Sequence, residues 1–229
     1  MRVRLFLVAV VAVLCVANYL NNVALHWAYP WISVIEVLVL LGLARAAGLT
    51  ARDLGLSRAT WRRGLRWAVV AALLVLVAYL VALTLPAGRE AFLDRRARLD
   101  LGGALWAAFV GVPVGTVLLE EVAFRGVVFG MVARLHGPVW ATAVSSVLFG
   151  LWHVLPSLGV GQSNQLVGSV YGSAAYAVTL SAVLGTALAG VVLALLRWRS
   201  GSLFAPIGLH WATNGLAYAL GAALWSISG

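Results

Sequence analysis

Two adjacent acids and an arginine lie in the middle of an apolar run. The run reads GTVLLEEVAFRGVVFG and contains Glu120, Glu121 and Arg125. Glu121 and Arg125 are four residues apart, so on a helix they share a face and can neutralise each other as a structural ion pair. Glu120 projects about 100° away from Glu121 on the same helix. A desolvated carboxylate without a local counter-charge is suited to general-base work, so Glu120 is the candidate for chemistry.

Two further apolar runs carry polar residues at helical spacing. His153 follows Phe149 by four residues in FGLWHVLP, which predicts an imidazole packed on an aromatic ring. His210 and Asn214 are also four residues apart, in GLHWATNG. Both side chains can donate hydrogen bonds to a developing oxyanion. Polar side chains in membrane spans also bond across helices, and a lone buried histidine is more often structural, so both interpretations remain open at this stage.

The composition indicates that the elements carrying these residues cross a membrane. The chain is 63% hydrophobic and only 10% charged, with a mean hydropathy of +1.00. A soluble domain of 229 residues cannot hide so much apolar surface. We therefore predict an all-α polytopic membrane protein, a bundle of about seven transmembrane helices around an intramembrane polar site, or eight if the fourth run breaks at Pro113. The runs are 4–21, 31–48, 66–86, 103–134, 138–155, 174–197 and 203–226.

The distribution of arginine predicts the orientation of the chain. Arg2 and Arg4 flank the first run, and segment 45–66 holds six arginines against one acid. By the positive-inside rule, both segments and the N-terminus are expected in the cytoplasm, and the C-terminus outside. Segment 88–100 is the exception, since it is predicted outside with four arginines and three acids. We interpret it as an amphipathic interfacial helix.

The same distribution bears on partners and compartment. The net charge of +9 is explained by topology, so no nucleic-acid partner is expected. The single cysteine, Cys15, excludes an internal disulfide. All sixteen basic residues are arginine, which suggests a GC-rich genome and hence a bacterial plasma membrane. The expected partners are the lipid bilayer and a peptide or membrane-protein substrate.

The depths of the polar residues predict one shared pocket. Glu120 and His153 each lie about 21 Å from the cytoplasmic ends of their runs, and His210 lies roughly 10–16 Å in. Three helices can therefore converge their polar groups inside the membrane. Glu36 lies six residues after Pro30, near the outer interface, where we expect it to reach headgroups or water.

The ordered set Glu-Glu-x-x-x-Arg, Phe-x-x-x-His and His-x-x-x-Asn resembles the CAAX protease and bacteriocin-processing family, also called the Abi or type II CAAX prenyl endopeptidase family. The resemblance covers roughly residues 100–220 and implies an intramembrane endopeptidase. It divides the single membrane domain, 1–229, into N-terminal spans and loops (1–100) and a catalytic helical core (101–229).

The resemblance also implies roles for the polar residues. Glu120 with His153 would activate a water, and His210 with Asn214 would form the oxyanion hole. The supporting residues would be Glu121, Arg125 and Phe149.

Metal dependence and the class of function each leave an alternative. The family is often described as metalloproteases, and one Glu with two His could bind a catalytic zinc. We expect no cofactor, because the chain has no His-Glu-x-x-His helix and Asn214 is a poor zinc ligand. The other alternative is a non-enzymatic bacteriocin-immunity or scaffold protein, or a transporter. A transporter would favour internal repeats with paired broken spans, whereas only one break is predicted.

Overall fold

The computed structural model describes residues 2–158, 160–172 and 174–228, and over these ranges the chain forms helices and no β-strand. An isolated antiparallel bridge joins Asp94 to Asn164. The long helices are α1 (Arg2–Tyr19), α2 (Trp31–Ala46), α3 (Trp61–Ala82), α4 (Leu101–His136), α5 (Pro138–Trp152), α6 (Ala175–Ser200) and α7 (Phe204–Ser228). Short α-helices are Pro86–Phe92, Val154–Ser157, Val160–Ser163 and Gln165–Tyr171, and 3₁₀ turns are His26–Ala28, Arg58–Thr60 and Arg95–Ala97.

Each of the seven predicted apolar runs overlaps one of these long helices, but a bundle of seven or eight spans is not confirmed. In the described ranges, four helices are long and apolar enough to cross a membrane, namely Arg2–Ala24, Arg58–Ala82, Leu101–His136 and Ala175–Ser200. A fifth is added if Pro138–Trp152 and Val154–Ser163, bent by 42°, form one span. α2 has only 16 residues, and α7 is made more polar by residues such as His210 and Asn214.

The arrangement of apolar surface is that of a multi-pass membrane protein. In α3 none of the most apolar 18-residue window is buried, whereas in α4 a third of it is (33%). α3 therefore packs one narrow face on α7 and presents side chains such as Leu73, Leu74 and Val77 outward. Apolar side chains on the outer surface and polar side chains in the interior are the arrangement expected of a protein in a lipid bilayer.

The predicted break at Pro113 does not occur, because the helix passes through proline in a wider form. α4 is π-helical at Ala107–Val117 and again at Glu121–Val128. A π-helix pairs the N–H of one residue with the carbonyl five residues earlier, so Pro113 leaves the Ala108 carbonyl without its partner. The Trp211 indole N–H of α7 donates to that oxygen at 2.9 Å. The helix Leu101–His136 is continuous, so the run does not split at Pro113, and the alternative of an eighth span that depended on such a split is not supported.

Side chains of the α1–α2 region satisfy two other carbonyls in the same π-helical stretch. The Tyr29 hydroxyl donates to the Gly111 oxygen at 2.6 Å, and the Ser33 hydroxyl donates to the Gly115 oxygen at 2.7 Å. Glycine is required at 115, because a Cβ there would collide with the Tyr29 ring. α4 is therefore held on two sides, by α7 and by the chain around α2.

The prediction that segment 88–100 forms one amphipathic helix is wrong. The segment contains the end of a short helix, an extended residue and a 3₁₀ turn. The segment lies against the C-terminal half of α7, where the Trp225 indole N–H donates to the Asp94 carbonyl at 2.9 Å. Partial burial of Asp94 opposes its ionisation, but hydrogen bonds from the Arg96 side chain and backbone outweigh this and lower the pKa of the Asp94 carboxyl. The amphipathic pattern of this segment reflects a folded cap on α7.

Candidate active site

Glu120 lies where α4 changes from α-helical to π-helical geometry, and its side chain is buried, with 8% of its surface exposed. Its Oε1 accepts a hydrogen bond from the Trp152 indole N–H at 3.0 Å. Its Oε2 lies 3.7 Å from His210 Nε2 and 4.0 Å from His153 Nε2. Within the described residues Oε2 has no hydrogen-bond partner. One oxygen of this carboxylate is therefore held, and the other faces two imidazoles.

One oxygen of Glu121 is shared by two donors, while its Oε2 is buried without a hydrogen-bond partner among the described residues. Its Oε1 accepts from Arg125 Nη1 at 3.2 Å, forming the ion pair expected at a four-residue spacing. The same oxygen lies 2.8 Å from His210 Nδ1. Because Glu121 also accepts from arginine, it serves as a carboxylate, and His210 Nδ1 is the donor. Glu121 thus connects α4 to α7 as well as neutralising Arg125.

Phe149 supports both the arginine and a histidine. The Arg125 guanidinium carbon lies 3.9 Å from the Phe149 ring centroid, which is a cation–π contact. Arg125 is completely buried there. The His153 ring packs edge-on against the same phenyl group with centroids 4.6 Å apart. The sequence predicted the second contact, but the first joins two motifs that lie in different helices.

The tautomer of His153 follows from its backbone partner. His153 Nδ1 lies 2.8 Å from the Phe149 carbonyl oxygen at the end of α5. A carbonyl can only accept, so Nδ1 carries the proton and, in the neutral imidazole, Nε2 presents a lone pair. That lone pair is on the nitrogen nearest Glu120 Oε2.

His210 and Asn214 lie one turn apart on α7 and border the space beside Glu120. A cavity of about 590 Å³ is lined by Glu120, His153 and Asn214, and also by Asp94 and Arg96 of segment 88–100. A second cavity of about 270 Å³, between α5, α6 and α7, has His153, His210 and Asn214 in its wall. Polar side chains from the end of α5 and from α7 thus lie within 4.0 Å of Glu120 on α4, and this cluster lies at the border of two cavities rather than in one.

Glu36 does not belong to this cluster, and the expectation for it was wrong. The residue is 7% exposed, and its carboxylate accepts a hydrogen bond from Asn21 Nδ2 at 2.8 Å. Glu36 therefore lies inside the bundle, between α1 and α2, where Asn21 of the π-helical extension of α1 (Leu20–Ala24) reaches it. Pro30 marks the start of α2 in sequence, but the packing of α1 against α2 could not be read from that position.

Two residues near the candidate base escaped the sequence analysis. Trp152 contacts Glu120 directly, and the Asn18 amide of α1 donates to the Trp152 carbonyl at 3.0 Å. Pro156 could have indicated that the Trp152 carbonyl needs a donor from elsewhere. A proline lacks the N–H that would bond to the carbonyl four residues earlier in a helix. No comparable signal pointed to the indole, because a tryptophan in an apolar run is usually packing.

No group of three or more His, Cys, Asp or Glu side chains among the described residues is arranged to hold a metal ion. The polar cluster contains two carboxylates, a guanidinium and two imidazoles. Glu120 Oε2 and the Nε2 atom of each histidine face one another without a direct hydrogen bond. Glu121 Oε2 and Arg125 Nε and Nη2 are also buried without a partner among the described residues. Such a set can hold and polarise a small polar molecule.

Comparison with protein families identifies the region that carries this cluster. The family model described as type II CAAX prenyl endopeptidase Rce1-like matches residues 102–216. That range covers half of the chain and contains every candidate residue of the three motifs, so the resemblance noted in the sequence is confirmed. Neither the curated proteins nor the solved structures give a significant match. Membership supports a membrane-embedded protease with a protein or peptide substrate. The chain belongs to the Rce1-like family of type II CAAX prenyl endopeptidases.

Proposed function

We propose that this chain is an intramembrane glutamate-type endopeptidase, in which Glu120 and His153 activate a water for attack on a peptide bond. The observation that carries the proposal is the state of Glu120 Oε2, which is buried, has no hydrogen-bond partner in the described residues and faces His153 Nε2 at 4.0 Å. That separation exceeds a direct hydrogen bond and suits a water that bonds to both atoms.

In the proposed reaction, the water oxygen forms a bond to the carbonyl carbon as one of its protons passes to Glu120 or His153. The carbonyl oxygen becomes an oxyanion in the tetrahedral intermediate. The C–N bond then breaks, the carbonyl reforms, and the proton taken from water is delivered to the leaving amine. The same pair therefore acts first as base and then as acid.

His210 and Asn214 are proposed to donate hydrogen bonds to the oxyanion. The Asn214 amide always carries two donors, and it lines the cavity that also contains Glu120. His210 Nδ1 is engaged by Glu121, so His210 can donate to the oxyanion only from a protonated Nε2, that is, as an imidazolium. The proposed role of Glu121 is to orient this ring and balance its charge.

The proposal includes no metal. The free atoms Glu120 Oε2, His153 Nε2 and His210 Nε2 would be the ligands of the zinc alternative. Ligands bound tetrahedrally to zinc at about 2.0–2.1 Å lie roughly 3.3 Å from one another, whereas Oε2 lies 3.7 and 4.0 Å from the two nitrogens. The wider spacing, together with an amide donor one turn from His210, favours water and an oxyanion hole.

We further propose that the protein acts in a bacterial plasma membrane, with the N-terminus in the cytoplasm and the C-terminus outside. The arginines at 2, 4 and 45–66 support this orientation. The substrate is a peptide or membrane-protein segment that reaches the larger cavity, and no cofactor or nucleic acid takes part.

The test is cleavage of a quenched peptide library by the purified protein in lipid nanodiscs. We expect cleavage that survives exhaustive chelation and is lost in Glu120→Ala and His153→Ala variants that keep the wild-type unfolding temperature. Loss on chelation with recovery on adding zinc would replace the water mechanism by the zinc alternative. Undiminished cleavage in both variants would overturn the assignment of the site. The absence of cleavage of any peptide or membrane-protein substrate would favour an immunity, scaffold or transport role.

A further inference from the structure

We propose that Trp152 is a positioning residue that determines which oxygen of Glu120 acts on the water, and that α1 holds Trp152 in place through Asn18. The inference rests on the proposed function of Glu120. It adds to the active site an indole and a helix that lie outside the Glu, His and Asn motifs.

The indole occupies one specific carboxylate oxygen. Trp Nε1–H is a donor only, and it bonds to Glu120 Oε1 at 3.0 Å. The Trp152 side chain is buried and packs edge-on against Phe124, with ring centroids 5.8 Å apart. A carboxylate rotates easily about its last torsion, so a fixed donor on Oε1 is what keeps Oε2 directed at the two imidazoles.

The backbone of Trp152 is held by the N-terminal helix. Trp152 is the last residue of α5, and Pro156 cannot donate to its carbonyl. Asn18 Nδ2 of α1 donates to that carbonyl at 3.0 Å instead. Asn22 Nδ2 in turn donates to Asn18 Oδ1 at 2.7 Å, which fixes the orientation of the Asn18 amide.

A hydrogen-bonded chain therefore runs from α1 through Trp152 to the proposed base. Its first member, Asn18, precedes the region matched by the family model, 102–216. A change in α1 should thus alter the chemistry of a base that it does not touch.

The diagnostic readout is the pH dependence of kcat. A hydrogen bond to a carboxylate favours its charged form, so loss of the indole donor should move the acidic limb of the kcat profile upward. The charged and titratable groups beside Glu120 or across its cavity are Glu121, Arg125, His153, His210, Tyr29, Tyr218, Asp94 and Arg96. None of these changes in the variants below.

The experiment compares three variants of the full chain in nanodiscs. Trp152→Phe keeps an aromatic ring and removes the donor, and we expect kcat to fall about 10- to 100-fold, as for loss of a hydrogen bond to a charged group, with KM unchanged and the acidic limb shifted upward. Asn18→Ala should shift the limb in the same direction by less. Trp61→Phe is the matched control, because its indole bonds to the Leu56 carbonyl, outside the cavity that Glu120 lines, and it should keep the wild-type profile.

Each outcome decides the proposal. A wild-type kcat and pH profile in Trp152→Phe would overturn it while leaving the proposed function intact, provided Glu120→Gln is inactive. Full activity in Glu120→Gln would instead overturn the proposed function. If Trp152→Phe fails to fold, Asn18→Ala decides, and an unshifted acidic limb in that variant contradicts the proposal.

Discussion

Glu36 and Glu120 are buried carboxylates with the same pattern of hydrogen bonds. Glu36 accepts one hydrogen bond, from Asn21 at 2.8 Å, and Glu120 accepts one, from Trp152 at 3.0 Å. In each, the second oxygen is buried without a partner among the described residues. They differ in what faces the second oxygen. Glu120 faces two imidazoles within 4.0 Å, whereas no basic side chain of the described chain lies within that distance of Glu36.

If Glu120 is the base that we propose, burial and an unpaired oxygen do not by themselves make a reactive acid. Such an oxygen acquires a use only when other helices bring complementary atoms to it. α5 and α7 do so for Glu120, while α2 and the π-helical extension of α1 leave Glu36 with an amide alone.

The largest expected effect separates these two acids directly. Glu120→Gln should lower kcat by about 10²–10⁴, the usual contribution of a positioned general base. Glu36→Gln keeps the shape of the side chain, touches no imidazole and should leave kcat at the wild-type value. Both rates are measured on one quenched peptide in nanodiscs. Equal losses in the two variants would show that the comparison is mistaken and that any buried charge in this bundle matters in the same way.

The next effect concerns stability. Glu121→Gln leaves the buried Arg125 without its counter-charge, and an uncompensated buried ion costs about 3–5 kcal/mol. We expect a marked decrease in the free energy of unfolding, measured by denaturant titration in micelles. Adding Arg125→Met to Glu121→Gln should recover part of it, whereas Glu36→Gln, which has no buried cation to expose, should cost little. A Glu121→Gln protein as stable as wild type would contradict the buried ion pair.

Two asparagines sharpen the same contrast. Asn214→Leu should lower kcat by about 10²–10³, the usual loss when one oxyanion donor is removed, with little change in stability. Asn21→Leu removes the donor from Glu36 and should cost about 1–3 kcal/mol of stability without changing kcat beyond its effect on folding. The two measurements are steady-state kinetics and thermal unfolding. If the effects were exchanged between the variants, the assignment of Asn214 to the reaction would fail.

The smallest effect lies outside the membrane, at Asp94. Its folded pKa is below the ordinary value of 3.8, so the ionised form stabilises the fold above about pH 4 and this contribution disappears as pH falls through the lower folded value. Hydrogen exchange of the amides following Asp94 should accelerate on acidification in the wild type. In Asp94→Asn exchange should be faster at neutral pH and nearly independent of acidification, and a wild-type response in that variant would rule out the carboxyl as the cause.

Much of this site could be predicted from the sequence, because two key residues of each motif are four positions apart and therefore lie on one side of a helix. That local periodicity places His210 above Asn214, Phe149 beside His153, and Glu121 beside Arg125. Contacts between helices have no such local signal. The bond from His210 to Glu121, the indole on Glu120 and the burial of Glu36 all depend on how distant helices pack.

The fold was predictable to a similar extent. Apolar runs predicted the positions of the long helices. The number of helices that span a membrane was harder to predict, because α2 is short, with 16 residues, and α7 is made more polar by its site residues. The run around Pro113 was misjudged because α-helical pairing was assumed, and the wider π-helix accommodates a proline when another helix supplies the missing donor.

The hydrogen bond that the Trp211 indole donates to the Ala108 carbonyl, in place of the backbone N–H that Pro113 lacks, restricts how this sequence can change. Pro113 and Trp211 form an epistatic pair, because the indole is needed at the Ala108 carbonyl only while position 113 lacks an N–H. Trp211→Phe should destabilise the wild-type chain more than it destabilises a Pro113→Ala background, where the backbone can bond to Ala108 itself. In a double-mutant cycle the two costs would therefore not add. The order in which a lineage could lose these two residues is then constrained, with the proline dispensable before the tryptophan.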